Sequence, residues 1–321
     1  LLPGNYSIDD ATPTLPTNAG CIHVEGKSKF ALIGIKGAIL KKDAGATEYA
    51  IKLYQCENAL LQNLQIDGTK ASAGKGGIQL ANSDRIIVDK NYIHDCDTHG
   101  VAVHSSRDCV VSFNELEFFD AAHGIDLNAD DDDHAAVLNQ RILIQGNYID
   151  LGSGGDLDCI KVEDCNGVEI AFNRCVAHSG QSNLVIESDA GDAADSLDDV
   201  NVHHNHFIGG DTSLINERHG KVFVTGNQFI QQKIQIGGGG AGGDVHFYDN
   251  YVEGKTGINS SLAIFAGEDA GNRILIKRNV FKAPYEATES RVIDAAHDGA
   301  STDYELWIEG NLLYNFYTTG I

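Results

Sequence analysis

Basic residues are scarce in this sequence, and no long apolar run occurs in it. Only 23 of the 321 residues are Lys or Arg, against 46 Asp and Glu, and the formal net charge is −23. Nucleic-acid binding needs a basic surface that neutralises phosphates, so this composition excludes a nucleic-acid partner. A helix that spans a bilayer needs about 20 consecutive apolar residues, and no such stretch is present, so we predict no membrane span.

What the sequence does contain is an asparagine that recurs along the chain. Each of these asparagines follows a short apolar strand and precedes another, at intervals of 22 to 33 residues. A repeat of this length predicts a solenoid. Because Asn tolerates φ > 0, we expect each one to form the bend between two strands, and stacked bends would join the amides into an Asn ladder. The series is Asn63, Asn91, Asn114, Asn147, Asn173, Asn205, Asn227, Asn250, Asn279 and Asn311.

A further apolar strand opens each repeat, as in YAIKLY from residue 49, GVAVHS from residue 100 and GIDLNA from residue 124. Apolar residues alternate with others along these strands, as a half-buried sheet requires. With about three strands per repeat and no helical period, the sequence resembles the right-handed parallel β-helix of the pectin-lyase superfamily. This resemblance implies an all-β fold, a single-stranded right-handed parallel β-helix (β-solenoid) of about eleven rungs with an Asn ladder.

The chain is predicted to form one domain over residues 1–321, because no proline-rich or serine-rich linker divides the rungs. It begins within a strand, LLPGNYSI, so we expect an incomplete N-terminal cap. The seven cysteines show no CxxC or Cys/His metal spacing. They are either small buried thiols inside the coil or partners in a disulfide between rungs. The acidic composition favours a secreted or extracellular protein, and its oligomeric state stays open.

Candidate ligand-binding residues follow from the rung alignment. The resemblance implies that ligands lie along the outer face of the sheet formed by the rung-opening strands. Neighbouring parallel strands are about 4.8 Å apart, so equivalent outward positions on successive rungs form a row. Adjacent rungs carry ionisable residues in this row, which favours a functional site. The row begins at Gln79; the strand candidates are His104, Asp126, Asn128, Lys161, Glu163, Glu187, Glu217 and Arg218, and the turn candidates are His99, His123 and Asp158.

Two segments resemble specific enzyme families of this fold. Glu217-Arg218-His219-Gly220 resembles the Arg-His-Gly segment of family six polysaccharide lyases, the alginate lyase and chondroitinase B type. In that family this Arg lies beside the acidic sugar, and a Lys one rung earlier is the base. Arg218 matches the Arg, but the preceding rung supplies no Lys, and the nearest outward Lys is Lys161.

The second segment, residues 123–128, resembles the Tyr-Gly-Phe-Asp-Pro-His motif of mannuronan C5-epimerases. Gly124 and Asp126 match the motif, whereas His123 replaces the Tyr and Asn128 replaces the His.

An acidic loop, NADDDDH from residue 128 to residue 134, offers closely spaced oxygen donors beside the candidate groove. Carboxylate oxygens are the ligands that Ca²⁺ prefers, so Asp130, Asp131, Asp132 and Asp133 are predicted metal ligands. A solvated acidic loop is the alternative interpretation.

Three functions remain open. The first is a polysaccharide lyase or epimerase acting on uronates, with Lys161 or His104 as base and Arg218 or Ca²⁺ neutralising the carboxylate. The net charge counts against a polyanionic substrate unless a metal intervenes. The second is a glycoside hydrolase or tailspike-like depolymerase using two carboxylates among Asp126, Asp158, Glu163 and Glu187. The third is a non-catalytic structural, adhesive or filament-forming solenoid.

Overall fold

The computed structural model describes residues 4–8, 22–35, 38–42, 48–68, 76–119, 123–128, 138–153, 157–187, 198–215, 220–237, 243–256, 260–266, 272–283, 291–297 and 304–314. Every regular element in these ranges is a β-strand, which confirms the predicted all-β class. Over the same ranges, no helix has the length and hydrophobicity that a bilayer crossing requires.

The chain divides into two compact units, Leu1–Lys161 and Val162–Ile321, which are described separately. The interpretation of residues 1–321 as one domain stays a prediction. The strands of the first unit are β1 (Gly4–Ile8), β2 (Ile22–Glu25), β3 (Ser28–Ile33), β4 (Ala38–Lys42), β5 (Ile51–Tyr54), β6 (Glu57–Gln62), β7 (Gln65–Asp67), β8 (Ile78–Ala81), β9 (Asp84–Asp89), β10 (Tyr92–Cys96), β11 (Val101–His104), β12 (Val110–Ser112), β13 (Glu115–Phe119), β14 (Ile125–Asn128), β15 (Asn139–Gln145), β16 (Tyr148–Asp150) and the start of β17 (Asp158–Glu163).

Three parallel sheets form the first unit. The opening sheet contains β2, β5, β8, β11 and β14 in that order. The middle sheet contains β3, β6, β9, β12 and β15. The closing sheet contains β1, β4, β7, β10, β13 and β16. Each strand therefore pairs with the strand three places further along the chain, and three successive strands make one rung of a β-helix.

Aliphatic columns fill the interior of the first unit. On the opening sheet, one inward column runs through Ile51, Ile78, Val101 and Ile125, and all four are fully buried. Burying each such side chain contributes about 1.5–3 kcal/mol to folding. Because side chains alternate between the two faces of a strand, this inward column fixes which residues point outward.

The cysteines of the described ranges are buried free thiols, six in number, and none of these six forms a disulfide. Burial raises the pKa of Cys96 and Cys109 to about 12. A thiol with such a pKa stays protonated at neutral pH and is a poor nucleophile or metal ligand. These residues therefore serve as small core side chains.

The bend between the middle and closing sheets differs in one respect from the sequence prediction. The residue with φ > 0 is the one before the asparagine, such as Lys90 (φ 54°) before Asn91 and Phe113 (φ 52°) before Asn114. The asparagine itself is buried, and its Oδ1 accepts two hydrogen bonds from the preceding asparagine. Asn91 N and Asn91 Nδ2 lie 2.9 and 3.0 Å from Asn114 Oδ1. The amide thus replaces backbone hydrogen bonds that the bend interrupts.

Asn63 is the exception in this series. It has φ 54° and is exposed, so it forms the bend itself, and Leu64 takes the position that asparagine holds elsewhere. Leu64 N donates to Asn91 Oδ1 at 2.9 Å. The expectation that every asparagine of the series adopts φ > 0 is therefore wrong for the others and right for Asn63.

The second unit repeats the same three-strand rung. Its three parallel sheets are β19-β22-β25-β28-β31-β34, β20-β23-β26-β29-β32 and β18-β21-β24-β27-β30-β33, with β18 (Cys165–Ala171), β19 (Arg174–Ala177), β20 (Ser182–Glu187), β21 (Asp198–His203), β22 (His206–Gly209), β23 (Thr212–Ile215), β24 (Gly220–Thr225), β25 (Gln228–Ile230), β26 (Lys233–Ile236), β27 (Gly243–Tyr248), β28 (Tyr251–Glu253), β29 (Ser260–Ala266), β30 (Asn272–Lys277), β31 (Val280–Lys282), β32 (Arg291–His297), β33 (Tyr304–Glu309) and β34 (Leu312–Tyr314).

A stack of buried aromatic rings runs through the second unit. The Phe207, Phe229, Phe247 and Phe281 rings follow one another with centroid separations of 5.0, 5.9 and 6.3 Å. Beside them, asparagine amides from Asn173 to Asn311 hydrogen-bond one another at each bend. In-phase stacking of identical side chains on successive rungs gives both columns their regularity.

Candidate functional site

Three columns of residues cover the outer face of the opening sheet. Parallel pairing places residues in register on successive rungs. The turn column, just before the strands, is joined by backbone hydrogen bonds from each rung to the next. The outer column is His23, Lys52, Gln79, Ala102 and Asp126; the edge column is Glu25, Tyr54, Ala81, His104 and Asn128; the turn column is Tyr49, Gly76, His99, His123 and Asp158.

Two imidazoles converge on Asp126 because its neighbour in the outer column is small. Ala102 presents only a methyl group, so His99 and His104, which flank it on the same rung, reach the next rung. His99 Nε2 and His104 Nε2 each lie 3.5 Å from Asp126 Oδ2. His123 adjoins the same group, with its ring centroid 5.6 Å from that of His99. The result is a cluster of three imidazoles around one carboxylate.

The carboxylate of Asp126 is almost completely buried, at 3% exposure. Burial acts to raise its pKa, but His104 and the nearby charges of His99 and His123 outweigh this effect and lower the pKa to about 2. Asp126 is therefore ionised at any physiological pH. A buried ionised carboxylate needs compensating donors or cations, and the imidazoles supply part of that compensation.

The Nδ1 atom of each imidazole has a close polar neighbour. Tyr49 Oη lies 2.9 Å from His99 Nδ1, and Asp158 Oδ2 lies 3.0 Å from His123 Nδ1. Gln79 Nε2 donates to His104 Nδ1 at 3.3 Å. Because that nitrogen of His104 accepts, its Nε2 carries the hydrogen in the neutral ring and faces Asp126. The hydrogen bonds from Tyr49 and Gln79 orient the rings of His99 and His104, and Asp158 lies beside the ring of His123.

Glycine makes the contact between Tyr49 and His99 possible. Gly76 stands between them in the turn column, and a Cβ there would lie 1.7 Å from the carbonyl oxygen of His99. Since Gly76 has no side chain, the phenol of Tyr49 extends over it and reaches the second rung away. Tyr49 is itself buried, at 2% exposure, so it positions His99 and does not meet a ligand.

Lys161 follows Asp126 in the outer column. The Gly124 N–H donates to the Asp158 carbonyl at 2.9 Å, which aligns Gly124 with Cys159 in the pattern of the other rungs. Asp126 lies two residues after Gly124, and Lys161 lies two residues after Cys159, so the two align and both face outward. Lys161 is partly exposed. Lys52 lies in the same column, two rungs before Ala102 and on the side away from Asp126.

Several predicted site residues lie elsewhere. Asn128 is in the edge column beside His104, and its carbonyl accepts from Asn139 Nδ2 at 2.9 Å. Glu163 and Glu187 end β17 and β20 in the second unit, where both are partly exposed. Glu217, Arg218 and the predicted calcium ligands Asp130, Asp131, Asp132 and Asp133 lie outside the described residues, so their roles stay predictions.

Two contributors were not singled out from the sequence. Tyr49 and Lys52 lie one or more rungs before the residues chosen as the site. Reading the turn and outer columns back by two rungs would have found them, because the strands YAIKLY and GGIQLA align with the same register.

Comparison with solved structures supports the fold. The pneumococcal surface adhesin PfbA matches over 92% of this chain and 84% of its own, with 11% identity and a TM-score of 0.56. The DFA-IIIase of Arthrobacter chlorophenolicus A6 matches over 93% and 87%, with 12% identity and a TM-score of 0.57. The periplasmic alginate epimerase AlgG matches over 96% and 84%, with 11% identity and a TM-score of 0.56. A search of the curated proteins finds no match.

A family model also matches the chain. It describes a "Right handed beta helix region" and aligns with residues 20–194, which is more than half of the sequence. The match confirms the handedness and the fold implied by the resemblance to the pectin-lyase superfamily. The chain therefore belongs to the right-handed β-helix family.

Proposed function

We propose that the outer face of the opening sheet binds an acidic polysaccharide and removes the C5 proton of a uronate, as a lyase or an epimerase. The observation that carries this proposal is the cluster of His99, His104 and His123 around the buried, ionised Asp126. Oriented imidazoles beside a carboxylate are a means of moving protons and of holding a substrate carboxylate at neutral pH.

The columns supply the groups that the reaction needs. The half-buried imidazoles of His99 and His123 donate N–H groups to the uronate carboxylate. Lys161, one rung beyond Asp126, accepts the C5 proton on its neutral amine. In a lyase the electron pair then forms the C4=C5 double bond while the C4–O bond breaks and the leaving oxygen takes up a proton. In an epimerase Lys161 keeps the abstracted proton, and a second, solvent-exchanged acid delivers a different proton to C5 from the opposite face.

Asp126 has a supporting role in this scheme. Its pKa of about 2 keeps it ionised, so it cannot act as a general acid. A hydrolase using Asp126 as base or nucleophile would need another carboxyl held in the protonated form. The orientation of two imidazoles toward Asp126 favours proton abstraction over hydrolysis. Hydrolysis is the alternative result that the experiment below can detect.

The structural neighbours support a carbohydrate role. One is described as an alginate epimerase, and another is described as a DFA-IIIase in complex with GF2. The adhesin among them is a surface protein, and the epimerase is periplasmic. We extend this to a secreted or surface location for the present chain, with a polysaccharide as partner.

The test is a panel of uronate-containing and neutral polysaccharides. A lyase produces the ultraviolet absorbance of an unsaturated uronate, an epimerase incorporates solvent deuterium at C5, and a hydrolase releases reducing ends alone. We expect one of the first two signals, lost in His99→Gln and retained in His94→Gln. His94 is a matched control because it also pairs with a carboxylate, Asp95 at 2.7 Å, but on the closing sheet. Reducing ends without absorbance or exchange would refute the proposal in favour of hydrolysis, and binding without turnover would favour an adhesin.

A further inference from the structure

The three side chains of His99, His123 and Asp126 are close enough to share one ion. One ligand atom from each lies within 4.8 Å of the others. Asp126 is 3% exposed, and no hydrogen-bond partner for its Oδ1 is found within the described ranges, whereas its Oδ2 faces the imidazoles of His99 and His104. A buried carboxylate with one unpartnered oxygen is costly unless a cation completes its surroundings.

The distance between two of the candidate ligand atoms is close to that around a small divalent cation. Zn²⁺ binds His nitrogen and carboxylate oxygen at about 2.0–2.1 Å, so two ligands of a tetrahedral site are about 3.3 Å apart. His99 Nε2 and Asp126 Oδ2 are 3.5 Å apart. A shift of a few tenths of an ångström would therefore bring this pair to ligand spacing.

The outer contacts are those that metal-binding histidines usually make. A ligating His generally donates its other ring N–H to a carboxylate, a carbonyl or a similar acceptor, which fixes the ring and raises its basicity. Asp158 Oδ2 is 3.0 Å from His123 Nδ1, and Tyr49 Oη is 2.9 Å from His99 Nδ1. The Tyr49 contact is a hydrogen bond to His99 Nδ1, whereas the Asp158 contact is a close approach to His123 Nδ1 without hydrogen-bond geometry.

We propose that His99, His123 and Asp126 bind one divalent transition-metal ion of the Zn²⁺ class. Two imidazoles and a carboxylate suit such an ion better than Ca²⁺, which prefers six to eight oxygen ligands. Three protein ligands leave a fourth position open. If the proposed function holds, the open position takes the uronate carboxylate, and the ion then replaces the N–H groups of His99 and His123 as its binding partner; this extension alone depends on the proposed function. Tyr49 and Asp158 are positioning residues for the ligands.

A second group of similar composition lies on the closing sheet and serves as a control. Asp67, His94 and Asp95 also bring three ligand atoms together. Their side chains are 21%, 15% and 39% exposed, and Asp67 already pairs with Lys41 at 3.2 Å. Lys41 pairs with Asp67, and the side chain of Asp95 is more than one-third exposed, so these two carboxylates have less need of an ion than the buried Asp126.

The experiment is a calorimetric titration of chelator-treated protein with Zn²⁺ in the absence of glycan. We expect one equivalent bound per chain. Asp126→Asn and His99→Gln should each weaken binding at least 100-fold, Tyr49→Phe should weaken it about tenfold, and His94→Gln should leave it unchanged. Tyr49→Phe removes one oxygen, so it reports on ring orientation even where a ligand variant fails to fold. Zn²⁺ should raise the melting temperature of the wild type and not that of Asp126→Asn.

Cobalt substitution provides an independent readout. Co²⁺ at this site should give visible d–d bands without the near-ultraviolet charge transfer of a thiolate ligand, because the described cysteines are buried in the core. Thiolate charge transfer, no bound ion, or binding that survives both Asp126→Asn and His99→Gln would overturn the proposal. Ion binding without glycan turnover would leave the site standing while the proposed function fails. Full turnover after chelation would overturn the role of the ion while the proposed function stands.

Discussion

The clearest test of the fold is the removal of one buried amide from the asparagine series. Asn114 is 1% exposed, so water cannot replace its hydrogen bonds. Its Oδ1 accepts from Asn91 N at 2.9 Å and Asn91 Nδ2 at 3.0 Å, and its own Nδ2 donates to the Val88 carbonyl at 3.0 Å. Asn114→Ala removes the acceptor of two buried N–H groups at once.

The expected loss of stability follows from those two donors. A buried donor left without an acceptor costs about 1–3 kcal/mol. Asn91 Nδ2 keeps its bond to the Leu61 carbonyl at 3.1 Å, so only one of its hydrogens is stranded. Two hydrogens left without an acceptor therefore lower the free energy of unfolding by about 3 kcal/mol. This value lies in the lower half of the range obtained by doubling the cost of one such donor, because the space left by the amide permits some relaxation.

Asn63 provides the matched control. It belongs to the same sequence series but is exposed and forms the bend itself with φ 54°. Glycine adopts this φ without strain, so Asn63→Gly should change stability by less than about 1 kcal/mol. If asparagine mattered only as a turn residue, the two substitutions would have comparable effects.

The assay combines urea unfolding with amide hydrogen exchange. Solenoid repeats do not always unfold as one unit, so the urea midpoint alone does not locate the loss. Exchange of the Asn91 amide does, because this N–H loses its acceptor in Asn114→Ala. A loss below about 1 kcal/mol together with unchanged protection of Asn91 would refute the assignment of the stability to the amide contacts.

The remaining predictions concern the site, acid stability and calcium. Lys161→Ala and Arg218→Ala should each abolish turnover while the melting temperature changes little; full activity in both variants would place the groove elsewhere. Burial acts to raise the pKa of Asp89, but two side-chain hydrogen bonds and Lys90 lower it. Its stabilisation is thus complete above the ordinary Asp pKa and is lost as pH falls through the lowered value, so Asp89→Asn should flatten the acid limb in urea titrations. Ca²⁺ should raise the melting temperature through residues 130–133, and no heat of Ca²⁺ binding in calorimetry would exclude this site.

The columns of the opening sheet could be predicted from the sequence because only two periods define them. Alternation along the strand separates inward from outward residues, and the rung repeat aligns one strand with the next. These rules placed His99, His123 and Asp158 together in the turn column and Asp126 in the outer column. They needed no knowledge of side-chain conformation.

The contacts around Asp126 could not be predicted in the same way. They depend on residues that are small, not on residues that carry chemistry. Ala102 leaves the space through which His99 and His104 reach Asp126, and Gly76 lets Tyr49 extend across a rung. A search for ionisable residues passes over both, because an alanine or a glycine in a strand pattern carries no functional signal of its own.

The sequence also does not show that Asn63 lies one residue before the position that the other asparagines of the series occupy. Asparagine suits both positions of the bend, since it tolerates φ > 0 and its amide can also bridge rungs. Rung lengths vary from 22 to 33 residues, so an interval that is one residue too long is not noticeable. Only the backbone angles and the Leu64 N–H to Asn91 Oδ1 bond separate the two roles.

The net charge of −23 does not by itself exclude an acidic glycan. Charges separated by more than about 8 Å are largely screened at physiological ionic strength, so the approach of a polyanion depends on the surface it meets. Around Asp126 that surface carries His99, His104, His123 and the partly exposed Lys161 beside Asp158, and Asp126 itself is buried. In the proposed site, an ion bound at Asp126 would add positive charge beside the substrate carboxylate. The argument that acidity opposes a uronate substrate therefore carries less weight around Asp126 than for the chain as a whole.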